Sequence, residues 1–241
     1  VIHLFGTPDP PVARLLAAVA ARHASVDAGG HPAPADVAVG SDGNEFATLV
    51  LGPGVPLDEL ALGVLLGAWR RASRPRVLVM SLIGAHPDAR AERLRQLWRI
   101  EEWARSTALP VLTLRLAPLI GPSSPLWLRL RSRPRLARAA QRPLNPVDEA
   151  DVIETLARAL DGRARWEGWY EIAGPEPLSL EDLARFAREA GPSPGRASGR
   201  GEWEPPLAEL EEHRLSECGP WARHFSLAPG AITARVQEWS R

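Results

Sequence analysis

Lysine is absent from all 241 residues, and every one of the 29 basic side chains is arginine. Schiff-base chemistry and any proton relay that sets a tyrosine beside a lysine ammonium are therefore excluded. The single cysteine, Cys218, rules out an internal disulfide framework and a zinc site built on several thiolates. Only one tyrosine, Tyr170, stands beside nine tryptophans. There is no charge excess either, with 29 bases balanced by 29 acids. A dedicated nucleic-acid binder carries a basic surplus to displace counterions, so nucleic acid is not an expected partner. No apolar run approaches the ~18 residues of a bilayer span, and no signal-peptide pattern precedes the first apolar run. The expected location is cytoplasmic.

What is present is an ordinary globular composition, 45% hydrophobic and 24% charged, in a chain long enough for one or two domains. The N-terminal VIHLF run is followed by Gly6-Thr7-Pro8-Asp9-Pro10-Pro11, and then by Val12, Leu15, Leu16 and Val19 at helical spacing. Asp9 suits an N-cap and Pro10 a first helical turn. Weak strand signals at Ala24–Val26 and Val37–Val39 lie in a Gly/Pro/Ala-rich stretch. Buried strands are expected at Phe46–Leu51, Arg76–Leu82 and Pro110–Leu116, and helices at Leu57–Ala72 and Ala91–Thr107. Continuous apolar strands alternating with amphipathic helices predict a parallel sheet covered on both faces. Beyond it, Ser123–Arg142 reads as Arg-rich and irregular. Asp148–Leu160 and Ser179–Ala190 read as helices, Trp169–Ile172 as a short strand, Gly191–Gly201 as a linker, Glu202–Glu217 as a solvated acidic segment and Ala231–Trp239 as a closing helix. His213 with Glu211, Glu212 and Cys218 matches no zinc spacing. His3 reads as a core or sheet-end histidine. No G-x-S-x-G elbow, H-E-x-x-H pair or Walker loop is present.

The strand, glycine turn and helix at the N-terminus suggest a Rossmann unit. RVLVMSLIGA at 76–85, EEWARSTALPVLTLR at 101–115, PLIGP at 118–122, NPVDEADVIETLARAL at 145–160 and YEIAGPEPLSLEDL at 170–183 follow in order. Together they resemble segments of the extended and atypical short-chain dehydrogenases/reductases. This group includes NAD-dependent epimerases/dehydratases, NmrA-like proteins and the nucleotide-binding accessory subunit of respiratory complex I. The resemblance implies a doubly wound parallel sheet. It implies a Rossmann-like core over residues 1–122, and returning core elements with a small lobe over 123–241. The stretch between the first helix and Phe46 is short for a full strand–helix–strand, which predicts a reduced crossover.

Departures from the family pattern shape the functional expectation. The family's catalytic Tyr and Lys fall at about Arg93 and Leu97, neither of which can take and return a proton at neutral pH. Ser81 sits at or beside the family's Ser, and His86 follows on the same strand exit. The phosphate turn retains Gly6 and Thr7, but three prolines remove N–H donors and Asp9 places a carboxylate where phosphate charge belongs. Asp27, about 20 residues after Gly6, stands where a ribose-binding acid is expected. The cofactor expectation is therefore none, or weakly bound NAD(P).

Residues 127–142 carry six arginines and no acid. Arg129, Arg131, Arg133 and Arg135, with Trp127, are candidates for docking to an acidic protein surface or an anionic membrane. Trp98 and Trp103 lie near the altered catalytic region and are weighed between packing and contact. The reading is a catalytically degenerate family relative that serves as a structural, assembly or binding subunit of a larger hetero-complex, cytoplasmic or peripheral to a membrane complex. The alternative is an NAD(P)-dependent oxidoreductase, epimerase or isomerase with a non-standard acid/base set around Ser81 and His86.

Overall fold

The computed structural model describes residues 2–4, 15, 18, 26–27, 47–52, 75–132, 141–160, 163–190 and 207–239. Strands β1 (Ile2–Leu4), β2 (Val26–Asp27), β3 (Ala47–Leu51), β4 (Pro75–Leu82), β5 (Val111–Leu116) and β9 (Trp169–Ile172) form one parallel sheet in the order β2-β1-β3-β4-β5-β9. From β1 the chain steps outward to β2, then crosses back over β1 to β3. That reversal is the topological switch point of a Rossmann-like, doubly wound sheet, where ligands bind outside the carboxyl ends of the strands. Among the described residues no strand lies beyond β2. Residues 28–46, on which the reduced crossover and Val37–Val39 were expected, fall outside them, as does the helix expected at Leu57–Ala72.

The sequence of β4 explains its central place. PRVLVMSL is apolar at nearly every position and buried on both faces, as a parallel strand between helical layers must be. Val77 and Val79 face α1 (Glu92–Ser106), packing with Leu94, Leu97, Ile100 and Ala104. Leu78 and Met80 face the other way, toward Leu15 and toward Val152 and Leu156 of α3 (Glu149–Leu160). At the opposite end of the sheet Arg76 is buried. Its Nε donates to Thr48 Oγ1 at 2.7 Å and its Nη2 to the Leu160 carbonyl at 2.9 Å. Burial pushes the guanidinium down to about 10, and the Trp166 ring lies 3.8 Å below it.

The remaining elements build a second lobe. Ile120 of β6 (Leu119–Ile120), α2 (Pro125–Arg131), Leu144 of β7 (Pro143–Leu144), α4 (Leu180–Glu189) and α7 (Ile232–Trp239) share one apolar cluster. Two further short strands, β8 (Val147–Asp148) beside β6 and β10 (Leu178–Ser179) against β7, complete it. The region expected to be irregular thus contains α2. Ser124 Oγ accepts from the Trp127 N–H at 3.2 Å and Pro125 occupies the first turn, a start signal outweighed in the sequence by the arginines that follow. Ser179 caps α4 in a reciprocal capping box with Asp182.

Residues 207–216 correct a second expectation. They are not a solvated acidic stretch but a strap, beginning with α5 (Leu207–Glu212), in which Glu209, Leu210 and His213 are buried. The strap is followed by α6 (Gly219–His224). It is tied to the lobe and the sheet through Asn145. The Asn145 N–H donates to His213 Nε2 at 3.3 Å, its Oδ1 accepts from Ser216 N–H at 2.9 Å, and its Nδ2 donates to the Gly174 carbonyl at 3.3 Å. The Gly174 N–H returns a bond to the Asn145 carbonyl at 3.2 Å.

Two outcomes follow from this junction. A Cβ at Gly174 would run into the Pro146 carbonyl oxygen, which is backbone and cannot swing aside. Gly174→Ala should cost about 3 kcal/mol or more in urea denaturation. Gly219→Ala, whose new methyl meets only the movable Arg223 side chain, should cost under about 1 kcal/mol. His213 is held down to about 4 by burial, with Arg142 and Arg214 adding to the effect against Glu171. Between pH 6.5 and 4 the unfolded chain binds a proton that the folded one refuses. This contribution is therefore complete above about pH 6.5 and is lost as pH falls toward 4, by about 3 kcal/mol in all. The difference in urea stability between the native chain and His213→Gln, measured across that window, should show this slope.

Candidate functional site

The carboxyl ends of β4, β5 and β9 carry a row of polar side chains on the face toward α1. Pairing in register sets Ser81 beside Arg115 and Arg115 beside Glu171. Arg115 makes a fork with the buried Glu101 of α1, Nε to Oε1 at 3.0 Å and Nη2 to Oε2 at 2.6 Å, and its guanidinium lies 4.8 Å over the Trp169 ring. Both charges are removed from water, and their paired geometry makes that burial tolerable. Burial pushes Glu171 up, but hydrogen bonds from Ser216 and Arg214, with the charges of Arg214 and Arg115, hold it below the ordinary carboxylate value. The Arg214–Glu171 contact is 2.8 Å.

Ser81 is wholly buried, and its Oγ has no hydrogen-bond partner among the described residues. The chain leaves β4 through Gly84, whose φ of +103° suits the left-handed turn that only glycine adopts without strain. His86 follows on an exposed turn with 63% of its side chain open, its Nδ1 accepting the Asp88 N–H at 3.2 Å. Ser81 and His86 are thus in different environments, one sealed in the sheet and one in solvent, and no hydrogen bond joins them.

On α1, Leu97 is 1% exposed in the core beneath the helix. Arg93 reaches the strap, where its Nη1 lies 3.3 Å from Glu209 Oε2. Ahead of them the Arg90 and Ala91 N–H groups donate to the two Glu212 oxygens at 2.7 and 2.6 Å. Ala91 itself offers no side-chain cap, so Glu212 terminates this helix from 121 residues away in sequence.

Other expected positions divide as follows. Gly6, Thr7, Arg133 and Arg135 lie outside the described residues. Asp27 pairs with His3 in the backbone ladder of β2 and β1. Arg129 and Arg131 occupy the last turn of α2. Trp127 cannot be a docking contact: it is 1% exposed, packed edge-on against Trp239 at 5.6 Å inside the second lobe. The helical spacing of Trp127, Leu126 and Leu130 carried that signal, but the surrounding arginines obscured it. Trp98 and Trp103 are half-buried against the cluster under α1. Asn145, Glu209, Glu212 and Arg214 were not singled out as site residues from sequence. No group of His, Cys, Asp and Glu suited to a metal ion occurs among the described residues, and no helix there is long and apolar enough to cross a membrane.

At the two positions where the family resemblance leads one to expect a Tyr and a Lys, Arg93 is ion-paired with Glu209 and Leu97 is buried, and neither side chain can take and return a proton at neutral pH.

No family model matches this sequence, and no curated protein matches it. Solved structures do match it in fold. A nucleoside-diphosphate-sugar epimerase from Staphylococcus aureus superposes with a TM-score of 0.66 at 12% identity, covering 98% of this chain and 99% of that one. MoeE5, solved with UDP-glucuronic acid and NAD, gives a TM-score of 0.63 at 16% identity over 100% and 98% of the two chains. A UDP-N-acetylglucosamine 4-epimerase from Bacillus cereus gives 0.57 at 11% identity over 99% and 97%. At these identities the likeness is one of fold. The chain has the Rossmann-like architecture seen in NAD-dependent epimerase/dehydratase structures, nearly end to end.

Proposed function

We propose that this protein is an epimerase/dehydratase-fold chain that no longer runs oxidoreductase chemistry and serves as a binding or structural subunit of a larger assembly. The observation that carries the reading is the fate of the two positions at which the fold's proton relay would stand. Arg93 is bound to Glu209 and Leu97 is sealed in the core. A guanidinium stays protonated at neutral pH and an isobutyl group has no proton to move, so neither supplies a general acid or base. Loss of such a positioned group costs about 10²–10⁴ in rate.

NAD or NADP binding is weak or absent in this reading. Pro8, Pro10 and Pro11 offer no N–H to a pyrophosphate, and Asp9 repels it. An acidic protein partner or an anionic membrane surface would meet the arginine-rich stretch that begins at Arg129 and Arg131, and extends through Arg133 and Arg135. One observation favours the rival reading, an enzyme with a non-standard acid/base set. The Ser81 hydroxyl is kept buried and unpartnered at the end of β4, at a desolvation cost that a bound ligand could offset.

Turnover separates the two readings. The purified protein should show no detectable NAD(P)H oxidation with carbonyl or nucleotide-sugar substrates, and calorimetric titration with NAD or NADP should give no micromolar dissociation constant. Substrate-dependent turnover that Ser81→Ala abolishes would overturn the proposal in favour of the enzyme.

A further inference from the structure

The strap closes the end of the sheet at which ligands enter this fold, and its attachments are mainly polar. Arg93 pairs with Glu209 at 3.3 Å, Arg90 and Ala91 donate to Glu212 at 2.7 and 2.6 Å, and Arg214 pairs with Glu171 at 2.8 Å. Arg142 donates to the Glu211 carbonyl, and the Asn145 side chain holds the Ser216 N–H. The Glu212 carbonyl lies 3.1 Å from where a Gly84 Cβ would be, so the strap abuts the exit of β4 three residues past Ser81. Its buried apolar anchor is Leu210.

We propose that residues 207–216 are an intramolecular latch, clipped by Glu209, Glu212 and Arg214 over the carboxyl ends of β4 and β9, whose release uncovers the Ser81 end of the sheet without unfolding it. A segment whose described attachments are charge-assisted hydrogen bonds and the buried side chains of Leu210 and His213 opens at lower free energy than strands buried on both faces. Such bonds also weaken as salt rises. The same acidic residues explain the closed state. Glu209 neutralises Arg93 of α1, and Glu212 supplies the cap its N-terminus lacks. The inference rests on reading this end as the ligand-facing end of the fold. It does not depend on the loss of catalysis, and its test uses neither cofactor nor turnover.

The test places a thiol on the strap's own buried anchor, as Leu210→Cys in a Cys218→Ser background, and follows its reaction with an aromatic disulfide reagent. Adding Glu209→Gln and Glu212→Gln should speed labelling at least tenfold while the urea midpoint of the whole protein stays close to the parent's. Salt at 1 M should speed the parent and leave the quadruple variant nearly unchanged. Equal labelling rates, or labelling with the urea dependence of global unfolding, would overturn the latch. Hydrogen exchange on the unmodified chain gives a readout free of substitutions. The amides of Arg90, Ala91 and 208–216 should exchange together and at least tenfold faster than those of β4 and β5. Exchange of the strap in step with those core strands would overturn it equally.

Discussion

Asn145 is the residue on which the two halves of the molecule depend. Its side chain, its N–H and its carbonyl satisfy Gly174 at the exit of β9, Ser216 on the strap and the ring of His213. The segments meeting there come from three distant parts of the chain, so no local propensity could bring them together. An amide suits the position because it donates and accepts at once and carries no charge to desolvate. The bare backbone of Gly174 against the Pro146 carbonyl is the steric half of the same arrangement.

Around that junction three arginines that leave solvent meet oxygen partners: Arg115 hydrogen-bonds Glu101, Arg76 hydrogen-bonds Thr48 and the Leu160 carbonyl, and Arg235 forms an ion pair with Asp148 at 2.8 Å. Burial raises Asp148 and Asp151, but Asp148 still accepts the Ala150 N–H and Asp151 the Gly230 N–H, joining the start of α3 to the approach of α7. A planar guanidinium can fork onto a carboxylate and stack on a ring in the same pose, as Arg115 does between Glu101 and Trp169. The arginine-only basic set is thereby compatible with a sheet end lined by alternating charges. It is incompatible with the lysine-dependent chemistry usual at that place.

The sheet and its helices were legible because their cause is local. Arg76–Leu82 and Pro110–Leu116 are unbroken apolar runs, and the α1 and α3 segments alternate at helical period. Their observed limits, Pro75–Leu82, Val111–Leu116, Glu92–Ser106 and Glu149–Leu160, lie within a residue of those expected. Of the candidate site, the missing lysine could be read directly from the chain, as could the arginine and leucine where the family resemblance leads one to expect a Tyr and a Lys. Ser81 could be placed at a strand exit, but its burial and its unpartnered oxygen could not.

Sequence alone excluded lysine-dependent chemistry and marked the segments that form the central strands and helices, since residue type and hydrophobic period act over a few neighbours. Only the tertiary structure decided what became of the acidic segment and of Trp127. In sequence the first is charged and the second sits among arginines, so both read as surface. In the fold, Glu209 and Glu212 meet Arg93 and the N-terminus of α1 more than a hundred residues away, and Trp127 meets Trp239. A charge or a ring is placed by the partner that compensates its burial, and the partners here are distant in the chain.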